Sequence, residues 1–334
     1  MFTQHLRKVT ADLPVRQLST ADLPACLDLA ADRNWTREEH KWQLLFEVSD
    51  VYGLDDLAGS GLAGSVVLTR YGPDLATIGM MLVAARYGRR GLGSRLMIHA
   101  LEQAAGAVVF LTATDYGRPL YQKLGFRAID TSVTHSGLLR AGPAGAGLAG
   151  DGPARAEPAV AGTAVAGTTV PGTGSPRIAT GADLGRLAAF DAMVFGAPRR
   201  NILTSLLSFA ERVVVADDRG TITGFAAAWQ NVGTLVVGPV VAADLPVAKA
   251  LIGAVAADAG GPVRLDIVGR HAGLSEWAVA SGLAAGNETA LMVRGGDLPG
   301  PREAVRSGLG GDRLARGAAR REPALSDPRH TVEQ

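Results

Sequence analysis

The stretch that most constrains this chain is residues 77–105, where an apolar run meets a glycine-bearing turn and then an amphipathic segment. Ile78 to Val83 predicts a buried strand. The later segment predicts a helix, because its apolar residues recur at helical spacing: Leu92, Leu96, Met97, Ala100, Leu101 and Ala104. A helix start that follows glycines presents free backbone N–H groups and the positive end of the helix dipole to an anion. The stretch therefore predicts a site for a phosphorylated ligand.

Two arginines stand just before the glycines of this turn, and guanidinium groups bind phosphate oxygens well. The turn is not a P-loop, because no Gly-Lys-Ser/Thr follows it. It is not a dinucleotide fingerprint either, because Leu96 occupies the place of the third glycine. The residues expected to hold the phosphates are Arg89, Arg90, Gly91, Leu92, Gly93 and Ser94.

A second motif lies at residues 115–126, after an apolar strand at 107–113. It predicts a short helix that carries Tyr121 and ends before Gly125 and Phe126. In this order and at this separation, the two motifs resemble those of the GNAT (Gcn5-related) N-acetyltransferases. The family's pyrophosphate loop reads Arg/Gln-x-x-Gly-x-Gly/Ala, and Gly88 stands where the family has Arg or Gln. The resemblance extends over residues 10–140.

The resemblance implies acetyl-CoA as cosubstrate, and it implies roles for five residues of the first half. In the family, the backbone of a splayed strand holds the pantetheine arm and the thioester carbonyl; the matching positions are Met81, Leu82 and Val83. Tyr121 matches the family's general acid, and a phenol with a pKa of about 10 is protonated at neutral pH. The alternative interpretation is that Tyr121 packs on the cofactor and transfers no proton. Thr114 replaces a family asparagine and is expected to hydrogen-bond the cofactor arm.

The acceptor side is less defined. Residues 12–50 predict two helices, and in the family this region overhangs the acceptor pocket. Trp35 and Trp42 either line that pocket or pack in the core. Asp115 either acts as the base or caps the following helix. Three residues of the second helix are further candidates for the base, or else form its solvated face: Glu38, Glu39 and His40. An amine of low pKa needs no base.

From Arg177 the order of helices and strands repeats, which predicts a second, diverged GNAT-like domain. Its turn between Val241 and Leu245 has no glycine pair and no arginine, so we do not expect it to bind CoA in the family's way. Between the domains, Ala, Gly and Pro make up 24 of 36 residues. Side chains this small cannot bury enough apolar surface to offset the conformational entropy that ordering the segment would cost.

We therefore expect an α/β protein with two GNAT-like domains, each a mixed, mostly antiparallel sheet flanked by helices. The predicted segments are a GNAT acetyltransferase domain at 1–140, a disordered linker at 141–176, a degenerate GNAT-like domain at 177–299 and a disordered tail at 300–334. The second domain is expected to form a wall or a cap of the acceptor site, or to mediate homodimerisation.

Composition sets the remaining expectations. The net charge of +1 gives no reason to expect nucleic acid as a partner, and charges interrupt every long apolar stretch, so no membrane span is expected. The chain start lacks the apolar core of a signal peptide, which makes the cytoplasm the default location. Cys26 is the lone cysteine and the six histidines show no ligand spacing, so no metal site is expected.

The function expected from these features is acetyl transfer to a primary amine of a small molecule, directly in a ternary complex, since no nucleophilic cysteine lies near the turn. The alternative function is a non-enzymatic acyl-CoA-binding or regulatory module. It is compatible with the departures from the family pattern at Gly88 and Thr114 and with the absence of an evident base.

Overall fold

The computed structural model describes residues 13–57, 59, 61–140 and 175–300, together with the backbone of 305–307. The predicted linker at 141–176 lies outside these residues except for its last two. Most of the predicted tail at 300–334 also lies outside them. We call the described residues up to 140 the first half and those from 175 the second half.

The first half contains the predicted pair of helices, the three-stranded meander and the two motif helices. Short 3-10 turns stand at Thr20–Asp22 and Ala85–Tyr87. Its elements are β1 (Arg16–Gln17), α1 (Leu23–Asp32), α2 (Glu39–Val48), β2 (Asp50–Asp55), β3 (Leu62–Tyr71), β4 (Leu75–Val83), α3 (Leu92–Gln103), β5 (Val108–Ala113), α4 (Arg118–Lys123) and β6 (Arg127–Gly137).

The second half repeats this order from its first strand to its last. Its elements are β7 (Pro176–Ile178), α5 (Leu184–Phe195), α6 (Arg200–Phe209), β8 (Arg212–Asp218), β9 (Thr221–Asn231), β10 (Thr234–Ala242), α7 (Leu245–Val255), β11 (Val263–Val268), α8 (Ala272–Ala280) and β12 (Leu283–Arg294), followed by the short β13 (Val305–Ser307). The predicted α/β class and the repeated order of elements are confirmed.

Both halves begin with the same local arrangement. In each, a capping box opens a 3-10 turn, and its aspartate accepts from an arginine six residues earlier on the first strand. The pairs are Arg16 with Asp22 and Arg177 with Asp183, each at 2.7 Å. The repetition of this ion pair at the same place in the fold supports the internal duplication.

The two halves share one sheet, which the sequence did not predict. The strand order is β1-β2-β3-β4-β5-β12-β6-β11-β10-β9-β8-β7. The last strand of each half therefore lies beyond the fifth strand of the other half, and the two exchanged strands pair with each other in the middle. Met292 on β12 is opposite Leu111 on β5, and His135 on β6 is opposite Leu265 on β11.

This exchange completes the hydrophobic cores. Ala290 and Met292 of β12 belong to the core of the first half, around α1, α3 and β2 to β5. A smaller cluster joins the halves, with Tyr71 and Phe110 of the first half against Phe195 of the second. Segments 1–140 and 177–299 are therefore not self-contained, because each depends on a strand of the other.

The predicted tail at 300–334 contains a strand, contrary to the expectation of disorder throughout. Val305–Ser307 pairs antiparallel with the end of β10, placing Ser307 opposite Val240 and Val305 opposite Ala242. The prediction failed here because the edge that orders these residues belongs to β10, more than sixty positions earlier in the chain.

Among the described helices, none is long and apolar enough to cross a membrane.

Candidate active site

The strands β4 and β5 part in the middle of the first half. Their parallel pairing covers Leu75 to Thr77 of β4, and the remainder of β4 has no β5 partner in the described ladder. The β3–β4 register shifts where they part, Met80 has a φ of 47°, and Ser65 Oγ donates to the Met80 carbonyl at 3.1 Å. A bulge of this kind bends the strand away from its neighbour. The backbone of residues 78–83 therefore borders an opening on its β5 side.

The predicted pantetheine-binding residues lie on this separated part of β4. Leu82 is buried in the core, while Met81 and Val83 are half-buried. Backbone groups can serve a ligand whichever way the side chains pack, so the placement is compatible with the predicted role.

The glycine turn follows the 3-10 turn at Ala85–Tyr87, after β4, and leads into α3. Gly91 is the N-cap of α3 and has a φ of 84°, in the left-handed region that favours glycine. No side chain of the described residues caps the helix. The first N–H groups of a helix have no intrahelical partner, and with the helix dipole they attract an anion. The turn thus has the backbone form that the sequence predicted, at the end of β4.

Cationic groups surround this helix start. Arg86 pairs with Asp56, whereas Arg89 and Arg90 form no salt bridge within the described part of the chain. The Arg90 guanidinium lies 5.5 Å from the centroid of the Tyr87 ring. The charges of Arg89 and Arg90 are thus available to a phosphate at the turn.

Two carboxylates hold the turn in place, and the sequence reasoning missed both roles. Asp56 accepts from the Arg86 guanidinium and from the Tyr87 hydroxyl, and Asp32 Oδ2 accepts from the Ala85 N–H at 2.6 Å. Burial and the neighbouring carboxylate of Asp56 raise the pKa of Tyr87. Asp56 reads in sequence as a hairpin-turn residue, and only its partners thirty positions later show its function.

The second motif packs against the first. A Cβ atom at Gly93 would lie 3.3 Å from Leu120 Cδ2 and 3.7 Å from Val83 Cγ2, so α4, the start of α3 and the end of β4 meet there. Tyr121 follows Leu120 on α4, is 7% exposed, and packs its ring on Phe126 with 6.1 Å between centroids. The fold thus brings together the three segments that the sequence assigned to one site.

The turn before α4 is capped by Thr114. Its Oγ1 accepts from the Gly117 N–H at 3.0 Å, so Asp115 does not provide this cap. The Thr114 hydroxyl proton remains able to donate, as its predicted contact with the cofactor arm requires. Asp115 is exposed on the same turn, next to Tyr116.

The lone cysteine does not resemble a nucleophile. Cys26 is fully buried on α1, and burial raises the pKa of its thiol to about 12. A thiolate is therefore disfavoured at neutral pH. Among the described residues, no three His, Cys, Asp or Glu side chains come close enough together to hold a metal ion.

A largely apolar cavity of about 50 Å³, open to solvent, reaches the point where β4 leaves β5. Its walls come from α2, β3 and β4 of the first half and from α6 and β9 of the second half. Representative lining residues are Leu45, Gly79, Met80, Ile202, Phe209 and Trp229. Trp35 and Asp115, the predicted acceptor residues, are not among the lining residues, and Trp42 is fully buried in the core.

Glu38 does not belong to a solvated face, contrary to that reading of the sequence. It is buried, it accepts from the Asn231 amide of the second half, and its Oε2 lies 3.6 Å from Lys41 Nζ. Lys41 lines the cavity. The prediction failed because the group that covers Glu38 is nearly two hundred positions away in the sequence.

The corresponding region of the second half differs. There the Asp244 side chain caps α7 and accepts from the Val247 N–H at 2.8 Å, which places a carboxylate where the first half has Gly91. Strand β10 pairs with β11 only from Leu235 to Val237, and β13 occupies its edge beyond that point. Both features leave less room for a phosphorylated ligand than the first half offers.

Comparison with known families assigns the fold. One family model, described as an acetyltransferase (GNAT) domain, matches residues 57–140, and another with the same description matches residues 187–305. Together the two matches cover more than half of the chain. The chain belongs to the GNAT acetyltransferase family. Both halves are GNAT domains, in agreement with the duplication seen in the structure.

Relatives resemble the whole tandem protein. The uncharacterized N-acetyltransferase YitH from Bacillus subtilis is 26% identical over 256 residues, which span 76% of this chain and 81% of YitH. A proposed acetyltransferase from Pyrococcus horikoshii superposes with a TM-score of 0.65 at 18% identity, covering 91% of this chain and 96% of its own. A tandem GNAT protein from the clavulanic acid biosynthesis pathway gives a TM-score of 0.56 at 16% identity, over 86% and 99% of the two chains. These structural similarities show a shared GNAT fold.

Proposed function

We propose that this protein is an N-acetyltransferase that transfers the acetyl group of acetyl-CoA to a primary amine of a small molecule, in the cytoplasm. The observation that carries the proposal is the opening between β4 and β5 beside the start of α3, where neither a capping side chain nor a salt bridge of Arg89 or Arg90 occurs among the described residues. An acyl-CoA needs both features, because its pantetheine arm is long and polar and its pyrophosphate is charged.

We assign the pyrophosphate to the turn. Arg89 and Arg90 would supply charge, and the backbone N–H groups of residues 91–94 would donate hydrogen bonds. The backbone of Met81 to Val83 would bind the pantetheine arm, and one of its N–H groups would polarise the thioester carbonyl.

The transfer is proposed to be direct. The amine nitrogen attacks the thioester carbonyl carbon, a carbon–nitrogen bond forms, and the carbon–sulfur bond breaks. The amine gives a proton to water. Asp115 of the second motif does not line the cavity, so as the candidate base it would receive that proton through water. The departing thiolate takes the phenolic proton of Tyr121, which solvent then replaces. The buried thiol of Cys26 supports a route without an acyl-enzyme.

We assign CoA binding to the first half alone. In the second half the carboxylate of Asp244 at the start of α7 would repel a pyrophosphate, and β13 already uses the β10 edge. The second half would then serve the first by supplying β12 and part of the cavity wall.

The proposal is tested by following thiol release and acetylated product with a panel of primary amines. Tyr121→Phe is expected to lower turnover by roughly 10²–10⁴-fold, the usual contribution of a general acid, with little change in acetyl-CoA affinity. Tyr116→Phe is the matched control, because Tyr116 is 69% exposed on the preceding turn. Unchanged turnover in Tyr121→Phe would remove the acid role. Tight acetyl-CoA binding without thiol release for any amine would instead support a non-enzymatic acyl-CoA-binding module.

A further inference from the structure

We propose that the strand Val305–Ser307 closes a latent second acyl-CoA site, by occupying in the second half the place that the pantetheine arm takes in the first. This inference rests on the proposed function, which assigns the pantetheine arm to the free edge of β4. The ligand of the latent site is of the same class, an acyl thioester on a pantetheine arm. The group that closes it is a strand of the chain itself.

Two glycines mark the same place in the two halves. Gly64 on β3 is opposite Val83 on β4, and Gly224 on β9 is opposite Ala242 on β10. A Cβ atom at Gly64 would lie 2.8 Å from a backbone oxygen of β4 and 2.8 Å from a leucine of α3. One at Gly224 would lie 2.9 Å from a backbone oxygen of β10 and 2.8 Å from a leucine of α7. The strand and the helix that follows it therefore approach each glycine in the same way.

Aligned on these glycines, residues 81–83 of β4 correspond to residues 240–242 of β10. Both strands first pair in parallel with their neighbour over three residues, Leu75 to Thr77 in β4 and Leu235 to Val237 in β10. Beyond that point, residues 81–83 have no partner on the β5 side in the described ladder. Residues 240–242 are instead paired with Val305–Ser307. The tail strand thus covers the residues that match the proposed pantetheine-binding ones.

The strand β13 lies on the edge of β10 that faces β11. The opposite edge of β10 is already paired with β9 at these residues, with Val240 opposite Ala226 and Ala242 opposite Gly224. Cα atoms of β13 also lie within 8 Å of Cα atoms of β11. The gap between β10 and β11 is therefore filled by β13, whereas the matching gap between β4 and β5 is the opening assigned to the arm.

A short strand and a pantetheine arm offer the same groups to a strand edge. The arm is an extended chain that contains amides, so it presents N–H donors and C=O acceptors as a peptide does. The free N–H and C=O groups of a strand edge need such partners. In the second half Val305–Ser307 supplies them, which makes this segment an internal substitute for the ligand.

A carboxylate closes the other end of the latent site. Asp244 accepts from the Val247 N–H at the start of α7, so this helix start is not open to a pyrophosphate. Strand, turn and helix otherwise follow one another as in the first half. Removing both the strand and the carboxylate should therefore open a site for acetyl-CoA.

Hydrogen exchange on the full-length protein, read by mass spectrometry, tests the closure without any ligand. Val305→Pro combined with Arg306→Pro should speed exchange of the β10 amides at residues 240–242 about tenfold, the order expected when a hydrogen bond is lost. Proline has no N–H, and two successive prolines disrupt the pairing whichever residue faces β10. Ala315→Pro combined with Arg316→Pro is the matched control, because it places two prolines in the tail beyond β13 and should leave this exchange unchanged.

Calorimetric titration of acetyl-CoA tests for the latent site. The opened variant combines Asp244→Gly with the two prolines of β13. Wild type should bind one acetyl-CoA per chain and the opened variant two. The second should bind about 100-fold more weakly, roughly tenfold for each of Arg89 and Arg90, which have no counterpart in the turn before α7. Binding there should slow the exchange at residues 240–242 again.

The inference is overturned if the prolines leave the exchange at residues 240–242 unchanged. It is also overturned if an opened variant that melts cooperatively binds one acetyl-CoA and shows no slowing at these residues. Asp244→Ser, which keeps a helix cap and removes the charge, takes the place of Asp244→Gly if the glycine variant does not melt cooperatively. Wild type that binds no acetyl-CoA would contradict the proposed function, whereas acetyl-CoA that slows exchange at residues 240–242 of the opened variant would still support the latent site.

Discussion

Replacing Met292 by alanine tests whether the two halves share their cores. Met292 belongs to the second half in sequence, yet it is 0% exposed in the core of the first half, between Leu111 of β5 and Ala128 of β6. Truncating a fully buried methionine to alanine costs about 2–5 kcal/mol, because apolar contacts are lost and a cavity remains. At about 2–4 °C per kcal/mol, the value for large domains, the melting temperature should fall by roughly 4–20 °C.

The assay is differential scanning calorimetry with circular dichroism at pH 7.5. Met193→Ala is the control, because Met193 is 65% exposed and its truncation should change stability by less than about 0.5 kcal/mol. The exchange predicts that Met292→Ala shifts one cooperative transition of the whole protein. The reasoning is refuted if Met292→Ala melts like Met193→Ala, or if a transition assigned to the first half keeps its wild-type temperature.

Two further predictions concern pH and the glycine turn. Burial lowers the pKa of His135 below its ordinary 6.5, so the unfolded chain takes up a proton at a pH where the folded chain does not. The free energy of unfolding should therefore fall as pH drops below about 6.5. His135→Gln should reduce the change in melting temperature between pH 7.5 and 5.5 more than His40→Gln does, because His40 is an exposed residue that packs one face on Phe209, whereas His135 is fully buried. Equal slopes of melting temperature against pH in the two variants would contradict this. Asp56→Asn should weaken acetyl-CoA binding about tenfold by loosening the turn, since hydrogen bonds to a charged group contribute roughly 1.5–3 kcal/mol. Asp28→Asn is the control, because Asp28 is exposed and pairs with Arg37 on the surface, and this change should leave the affinity for acetyl-CoA unchanged. Identical dissociation constants for wild type, Asp56→Asn and Asp28→Asn would show that Asp56 is not needed to hold the turn.

The sequence predicted what depends on local pattern. The strand at 77–83, the glycine turn and the helix that follows it have their predicted forms, because hydrophobic periodicity and glycine placement act over a few residues. The second copy was recognisable for the same reason, since its elements repeat in order.

The sequence did not predict what depends on distant partners. The apolar pattern of β12 shows that the strand is buried, but not that it lies between β5 and β6 of the other half. Glu38 and Asp56 lie in polar stretches of the sequence. The partners of their carboxylates are distant: Asn231 for Glu38, and Arg86 and Tyr87 for Asp56. The residues around Glu38 and Asp56 therefore give no sign of these contacts.

The most direct test of the account is calorimetric titration of acetyl-CoA into the intact protein, Gly91→Glu and Gly106→Glu. Both glycines have a φ near 85° with open space around the added Cβ, so the backbone strain is matched, but only Gly91 lies at the start of α3 where the pyrophosphate is assigned. The account predicts one acetyl-CoA per chain, lost in Gly91→Glu because a carboxylate then occupies the anion site, and retained in Gly106→Glu. Undiminished binding in Gly91→Glu, or two sites per chain, would contradict it.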